Sequence, residues 1–456
     1  MNQPFIAIIE RRFFTFTGVK KQTTNWGKYP VAKGPLIDFR EGMKPLEGHW
    51  ITRGMGRCYG DSSLGDTMLS SLKMNRFLAF DADSGILTCE SGVTFEDILE
   101  TFVPRGWFPP VTPGTKFVSL GGALAADVHG KNHHREGSVS RYVSAFDLLL
   151  PSGEVITCSR QENADIFRAT IGGMGLTGMI LRLTLQLKAI ETSAIRMDSV
   201  KASNLEEILG MFDRFEADTY SMAWIDCLSG GKSVGRSIMM KGEHAVKEEV
   251  HGTGWEKTPL SIPQKMKLAV PFDFPGFVLN RFSIQAFNTL YYHKQLRKER
   301  RVITDYDTFF YPLDAIHHWN RIYGKRGFTQ YQLVIPKVEG EKGIKTILDT
   351  LRQAGMGSFL AVLKLLGASE GLISFPMEGY TLTLDFPIEQ RLFPFLDRLD
   401  EIVMEFGGRL YLTKDVRMPA DVFAKTYPGL PEFRRIVRAL DPEGRVRSLQ
   451  SERLGV

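Results

Sequence analysis

The chain has 456 residues, 43% of them apolar and 24% charged, with a formal net charge of +5. That length suits two or three domains rather than one core, and so mild a charge argues against a nucleic-acid binder, which carries a dense basic stripe. Four cysteines, Cys58, Cys89, Cys158 and Cys227, lack paired spacing, which argues against a disulfide framework or a zinc site and fits a reducing compartment. The apolar run Phe5–Ile9, followed by Glu10, Arg11 and Arg12, is too short for the core of a signal peptide. No apolar stretch reaches the ~20 residues that span a bilayer. The expected location is therefore cytoplasmic, with at most one face at a membrane.

Residues 1–50 mix turn formers around Trp26 and Gly27, and a strand-and-turn pattern begins at Trp50. Residues 77–92 predict two short strands around Asp83-Ser84-Gly85. Thr94 is the expected N-cap of a helix reaching about Val103, with Asp97 at its third position. Residues 146–157 predict a further strand–turn–strand, residues 164–170 a short helix, and the alternating residues 179–188 a strand. From about Thr192 the composition shifts. Residues 205–216 predict an amphipathic helix and 221–226 a strand, whereas 229–262, rich in Gly, Ser, Lys and Glu, predict exposed loops. Residues 268–292 are aromatic and apolar, are broken by Pro271 and Pro275, and lead into a basic cluster of Lys294, Arg297, Lys298, Arg300 and Arg301. Their plain reading is core packing. Strands follow at 330–335 and 380–386, and helices at 343–354 and 389–406. The fold class is α+β, with helices on one face of a sheet in the second half.

Three glycine-rich runs stand out: residues 53–61, 119–134 and 171–178. Gly121 and Gly122 lack Cβ, so backbone there could approach a large flat or anionic group. Gly173-Met-Gly-Leu-Thr-Gly178 matches G-x-G-x-x-G, but a helix precedes it and a strand follows. A dinucleotide fingerprint has the opposite order, so a nicotinamide site is rejected in favour of a tight turn or contact with another large cofactor. His129, His133 and His134 lack the glutamate and clean helical spacing of a zinc motif, and no metal is expected. They read either as a polar surface turn or, with His129 foremost, as groups beside a cofactor. Arg53 and Arg57 are either surface arginines or flank a loop whose N–H groups form an anion nest.

The runs RGMGRCYGD (53–61), PGT (113–115), GGALAADVHGKNHH (121–134) and GGMGLTG (172–178), with WNR (319–321), QYQ (330–332), FGGRLY (406–411) and KD (414–415), resemble the vanillyl-alcohol-oxidase/PCMH flavoprotein superfamily. Within it they are most similar to the branch that oxidises polyprenyl-phosphoryl ribose. The resemblance implies a two-subdomain FAD-binding domain over residues 1–190, a substrate domain with a helix-flanked antiparallel sheet over 191–405, and a segment 406–456 returning to the FAD domain. It implies FAD contacts from Arg53, Gly54, Met55, Gly56, Arg57, Cys58, Tyr59, Gly60, Asp61, Ser62, Gly114, Ser119, Leu120, Gly121, Gly122, His129, Ile180 and Tyr411. The first loop has no histidine, so the FAD is expected to be noncovalent.

The resemblance also implies catalytic roles for Lys414, His129 and Tyr59. Lys131, Trp224, Gln330, Gln332, Lys364, Thr381 and Thr383 are the implied substrate contacts. Without the resemblance, Lys414 is one lysine of many. The implied reaction is oxidation of the C2 hydroxyl of a polyprenyl-phosphoryl-β-D-ribofuranose to the 2-keto sugar, completed to the arabinose donor by a separate NAD(P)H-dependent keto-reductase. The alternative is an aldonolactone or alditol oxidase of the same superfamily. Those end in His-Trp-Gly-Lys where this chain has Tyr411-Leu-Thr-Lys414. Three departures bear on the sugar: Thr383 replaces a cysteine, Thr381 an asparagine and Phe310 a tyrosine. In this setting residues 268–292 gain a second reading, a mobile apolar lid for a prenyl tail with the basic cluster near anionic headgroups.

Overall fold

The structure, a computed structural model, describes residues 22–43, 46–263 and 268–456. The Phe5–Ile9 run and Glu10, Arg11 and Arg12 lie outside the described residues. In the first half, three short strands, β1 (Leu36–Asp38), β2 (Ile51–Arg53) and β3 (Met68–Ser70), form a parallel sheet in the order β1-β3-β2. A second, antiparallel sheet follows, built from β4 (Phe77–Phe80), β5 (Ile86–Glu90), β6 (Val143–Leu149), β7 (Val155–Ser159) and β8 (Met179–Gln186) in the order β7-β6-β8-β5-β4. Alternation explains its packing. Leu87 and Cys89, Phe146 and Leu148, and Leu183 and Leu185 share a core with Phe95, Ile98 and Phe102 of helix α1 (Phe95–Phe102). Thr94 caps that helix as expected: its Oγ1 accepts from the Asp97 N–H at 3.2 Å and Asp97 Oδ2 accepts from the Thr94 N–H at 2.8 Å. This reciprocal pair satisfies two otherwise orphaned donors.

The second half is organised on one eight-stranded antiparallel sheet. Its strands are β9 (Ala194–Ala202), β10 (Tyr220–Ile225), β11 (Ser237–His244), β12 (Glu299–Asp305), β13 (Phe328–Pro336), β14 (Val362–Leu366), β15 (Gly379–Pro387) and β16 (Arg409–Leu410). The spatial order is β12-β9-β11-β10-β14-β15-β13-β16. One face is aliphatic. Ala223, Met239, Leu333, Ile335, Leu363, Leu382 and Leu384 pack against Ile208 and Phe212 of α2 (Leu205–Arg214), Ile347 and Leu351 of α3 (Gly340–Ala354), and Leu396 and Leu399 of α4 (Leu392–Glu405). Each such side chain contributes about 1.5–3 kcal/mol on burial, so the register is held. A one-residue slip would turn every leucine to the wrong face.

Two expectations need correction. Residues 229–262 are not all loop, because Ser237–His244 forms β11 inside the sheet, between β9 and β10. Its glycine misled: a Cβ on Gly242 would come within 2.8 Å of the Phe309 ring, so that glycine serves close packing rather than a turn. The aromatic stretch 268–292 is not core. It carries the helix α5 (Arg281–Lys294), which buries only Ile284 and Asn288. Phe277, Phe282 and Leu290 are exposed at 78%, 80% and 73%. Among the described residues no helix is long and apolar enough to cross a membrane.

Residues near the end of the sequence pack on the first half. The Trp50 N–H donates to Arg445 O at 2.8 Å, and the Arg447 N–H donates to Trp50 O at 3.0 Å. Arg453 bridges two buried carboxylates, Asp61 at 2.8 Å and Asp415 at 2.9 Å.

Candidate active site

The face of the large sheet opposite the helices is polar. Period-two alternation puts Gln330 and Gln332 of β13, Thr381, Thr383 and Asp385 of β15, Lys364 of β14 and Trp224 of β10 on that one side. The register aligns them in rows: Gln330 opposite Asp385, Gln332 opposite Thr383, Thr383 opposite Val362, and Val362 opposite Trp224. Lys364 lies opposite Thr381. Side-chain bonds knit the rows. Gln332 Nε2 donates to Thr381 Oγ1 at 3.2 Å, and Thr381 Oγ1 donates to Leu333 O at 2.7 Å. Gln330 Nε2 donates to Asp385 Oδ1 at 2.6 Å and to the Tyr59 hydroxyl at 3.4 Å.

The first half of the chain closes over this face. Gln332 Nε2 donates to His129 Nε2 at 3.0 Å, which leaves the proton of the neutral ring on Nδ1. His129 packs against Tyr411 and Phe375, with ring centroids 5.2 and 5.6 Å away. The Tyr411 hydroxyl donates to Ala126 O at 2.9 Å, and its N–H to Gln332 O at 2.9 Å. These bonds fix the 411–415 turn that presents Lys414, whose ammonium sits 4.0 Å over the Tyr59 ring. Tyr59 is held by its own N–H to Thr413 O at 3.0 Å. Lys131 reaches in from the second glycine run, its ammonium bonded to Phe309 O and 4.4 Å from that residue's ring centroid.

The arrangement is electrostatically tight. Burial pulls Lys131 down to about 7, and Lys364 and Lys414 each to about 8, with Lys364 adding to the effect at the other two. Lys364 also acts on His129, whose burial holds it neutral, well below the ordinary histidine range. Asp385 is pushed up to about 6 by burial, opposed by Gln330, Lys414 and Tyr323. Burial keeps the Tyr59 hydroxyl protonated. Three lysines, one neutral histidine and several amide and hydroxyl groups thus face one polar chamber. Such a set can hold an anion, orient a polyol and exchange a proton.

The FAD binding domain family matches residues 46–159. Decaprenylphosphoryl-β-D-ribose oxidase of Mycolicibacterium smegmatis is 37% identical over 410 residues, covering 89% of this chain and 88% of its own. The chain belongs to the decaprenylphosphoryl-β-D-ribose oxidase family. An uncharacterised protein of Streptomyces coelicolor is 32% identical over 80% of this chain and all of its own length. L-gulonolactone oxidase of Mus musculus is 27% identical over only 41% of each chain. Members of this family are FAD-dependent oxidoreductases, and this chain is one.

The residues present fit an FAD. In the half-buried loop 53–58, the N–H groups of Met55, Gly56, Arg57 and Cys58 have no hydrogen-bond partner among the described residues, and Gly56 has φ +62°. That is the form of an anion nest. Arg53 anchors the loop from below, through Asn25 and through Thr24 O at 2.8 Å, while the Arg57 guanidinium lies 4.2 Å over Trp26. Gly114 has open space where a Cβ would be. His129 Nδ1 is buried without a partner, a donor left for a ligand.

Several implied contacts differ from simple expectation. Gly121 packs against Ser91, and Gly54 against Ser119, where Cβ atoms would come within 2.8 and 2.1 Å. These glycines let two loops touch, rather than only exposing backbone. Ser119 precedes the short helix Leu120–Ala125, which also holds Gly122, and Ile180 is a buried residue of β8. Trp224 spends its indole N–H on Phe359 O at 3.1 Å, and its buried ring packs 4.7 Å from the Tyr291 ring. Phe310 is a buried core residue packed among Phe108, Tyr220 and Tyr306. His129 and His133 are 7% and 2% exposed, so the surface-turn reading fails. Among the described residues no cluster could hold a metal ion.

Reasoning from sequence missed Asp385 and Arg453. Asp385 was within reach, since alternation along 380–386 puts it in phase with Thr381 and Thr383. Arg453 had no local signal.

Proposed function

We propose that the chain oxidises the C2 hydroxyl of a polyprenyl-phosphoryl-β-D-ribofuranose to the 2-keto sugar, the first half of epimerisation to the arabinose donor. The identity across 89% of the chain to an enzyme named for that substrate carries the reading. The lactone oxidase likeness covers less than half as much. In this reading residues 1–190 and 406–456 hold the cofactor and residues 191–405 hold the sugar. When bound, FAD supplies the hydride acceptor.

The chain's own residues do the rest. Gln330, Gln332, Thr383 and the Trp224 ring line the sugar, and Lys131 and Lys364 meet its phosphate. Lys414 faces the reacting carbon. Its protonated form stabilises negative charge developing on the acceptor, and its neutral form takes the hydroxyl proton. With its ammonium drawn down to about 8, both forms are populated near neutrality. His129 and Tyr59 stay uncharged and hold the reacting groups in line. The FAD is noncovalent: the first loop lacks a histidine, and the Cys58 thiol lies 3.2 Å from Ser63 Oγ, within hydrogen-bond reach. A separate NAD(P)H-dependent keto-reductase consumes the keto sugar. The exposed apolar stripe of α5, with its neighbouring basic residues, rests on anionic lipid where the substrate resides.

Anaerobic mixing of holoenzyme with polyprenyl-phosphoryl ribose tests the function. Bleaching of the yellow absorbance is expected. Bleaching by a free aldonolactone instead would reverse the assignment. Acid precipitation should release the yellow colour into the supernatant.

A further inference from the structure

None of the roles above uses Asp385, yet it is the most deeply set charge in the chamber, 2% exposed. Both its oxygens are engaged. Oδ1 accepts from Gln330 Nε2 at 2.6 Å and Oδ2 accepts from the Tyr323 hydroxyl at 3.2 Å, while the Asp385 N–H donates to Ser358 Oγ at 3.0 Å. The supporting wall is aromatic. Tyr323 stacks on Phe328 at 4.3 Å, Phe328 meets the Tyr59 ring edge-on at 5.2 Å, and Lys414 lies over that ring. Asp385 is the negative charge that most supports the Lys414 ammonium, and Lys414 is the cation that supports the Asp385 carboxylate. A buried carboxylate serving only as sheet filler would be costly, since burying a charge is unfavourable unless something compensates it.

We propose that Asp385 is a positioning residue of the oxidation. It acts through Lys414, whose positive charge it keeps in the chamber. It also acts through Gln330, whose amide nitrogen it holds so that Oε1 is left for a substrate hydroxyl. The inference rests on the reading of this chamber as the oxidation site. The groups acting on Lys414 are Asp385, Lys364 and Cys58, and those on Asp385 are Lys414, Tyr323 and Gln330. Tyr59 feels Asp385, Arg57 and Asp314.

The sign does not depend on which form of Lys414 works. Without the Asp385 charge, the ammonium loses its support and deprotonates at lower pH. If catalysis needs the cation, the alkaline limb of the rate profile moves down. If it needs the amine, the acid limb moves down.

Competitive labelling of the holoenzyme with trace acetic anhydride across pH, read on the Lys414 peptide by mass spectrometry, measures that ionisation directly. Asp385→Asn should lower the Lys414 midpoint by about half a pH unit or more. Tyr323→Phe, which removes one donor to the carboxylate, should lower it less. Flavin absorbance reports that each variant is folded, and Tyr323→Phe carries the test alone if Asp385→Asn does not fold. An unmoved midpoint, with only flavin content or melting temperature lowered, would overturn the proposal in favour of a structural role. Labelling needs no sugar, so this result stands apart from anaerobic reduction, which tests the substrate.

Discussion

At the scale of single residues, two side-chain changes separate chemistry from architecture. Lys414→Ala removes the cation over Tyr59 but touches no hydrogen bond of the 411–415 turn, which is built from backbone. Yellow holoenzyme with turnover reduced by 10²-fold or more is expected by stopped-flow reduction, on the order of what a positioned acid or base supplies. Unchanged turnover would remove Lys414 from the mechanism. Gly60→Ala is the opposite case. Its Cβ would fall 1.6 Å from Asp415 O, inside the contact that joins the first glycine loop to the Lys414 turn. Backbone must move there, so flavin content after purification should drop sharply while Lys414 itself is intact. The glycine runs point to a large cofactor by their composition, and the resemblance makes it FAD. What could not be read is which glycines face the ligand and which face another loop, because Gly54, Gly60 and Gly121 meet partners 65, 355 and 30 residues away.

Elements show the same division between local and distant signals. The capped helix α1, the strand–turn–strand around residue 85 and the alternating strands β13 and β15 declare themselves through spacing, and all form where expected. The strand β11 does not, because its two neighbours decide its fate: Met239 is fully buried, yet Lys241, Gly242 and Glu243 read as loop. Helix α5 is the other informative failure. Apolar composition suits either core or an exposed face, and the structure excludes core: Phe282, Ala286 and Leu290 repeat every four residues on its outer side. Phe282 and Leu290 are mostly exposed, so replacing both by serine should leave stability nearly unchanged while flotation with anionic liposomes weakens. Neutralising Arg300 and Lys298 should weaken flotation further and lessen its salt dependence. Flotation equal to wild type in both variants would leave α5 without a lipid role. The terminal helix Leu449–Leu454 makes a third case. Arg453→Ala would leave Asp61 and Asp415 without their shared cation, a loss on the order of 3–5 kcal/mol, measurable as a lower unfolding midpoint and lower flavin retention.

For the whole molecule, the decisive property is that loops of the first half and the 411–415 turn meet the large sheet across a chamber carrying Lys131, Lys364 and Lys414. Their ionisation ties binding to pH. Burial draws Lys131 to about 7 and Lys364 to about 8, so both lose charge as pH rises through that range. KM for a phosphorylated sugar should therefore climb between about pH 7 and pH 9. KM for an uncharged sugar analogue should stay flat over the same interval. The stability of the ligand-free protein should run the other way. These lysines bind protons more readily when unfolded, so unfolding becomes harder as pH rises towards their ordinary value. A melting temperature that falls from pH 7 to pH 9 would contradict this. Timing is the last consequence, and it follows from the bond between Arg453 and Asp61, residues 392 positions apart. In the proposed reading the loop that holds the cofactor is synthesised early, whereas Arg453, which ties its Asp61, follows 392 residues later. If flavin binding needs that tie, chains stalled short of Arg453 should emerge colourless.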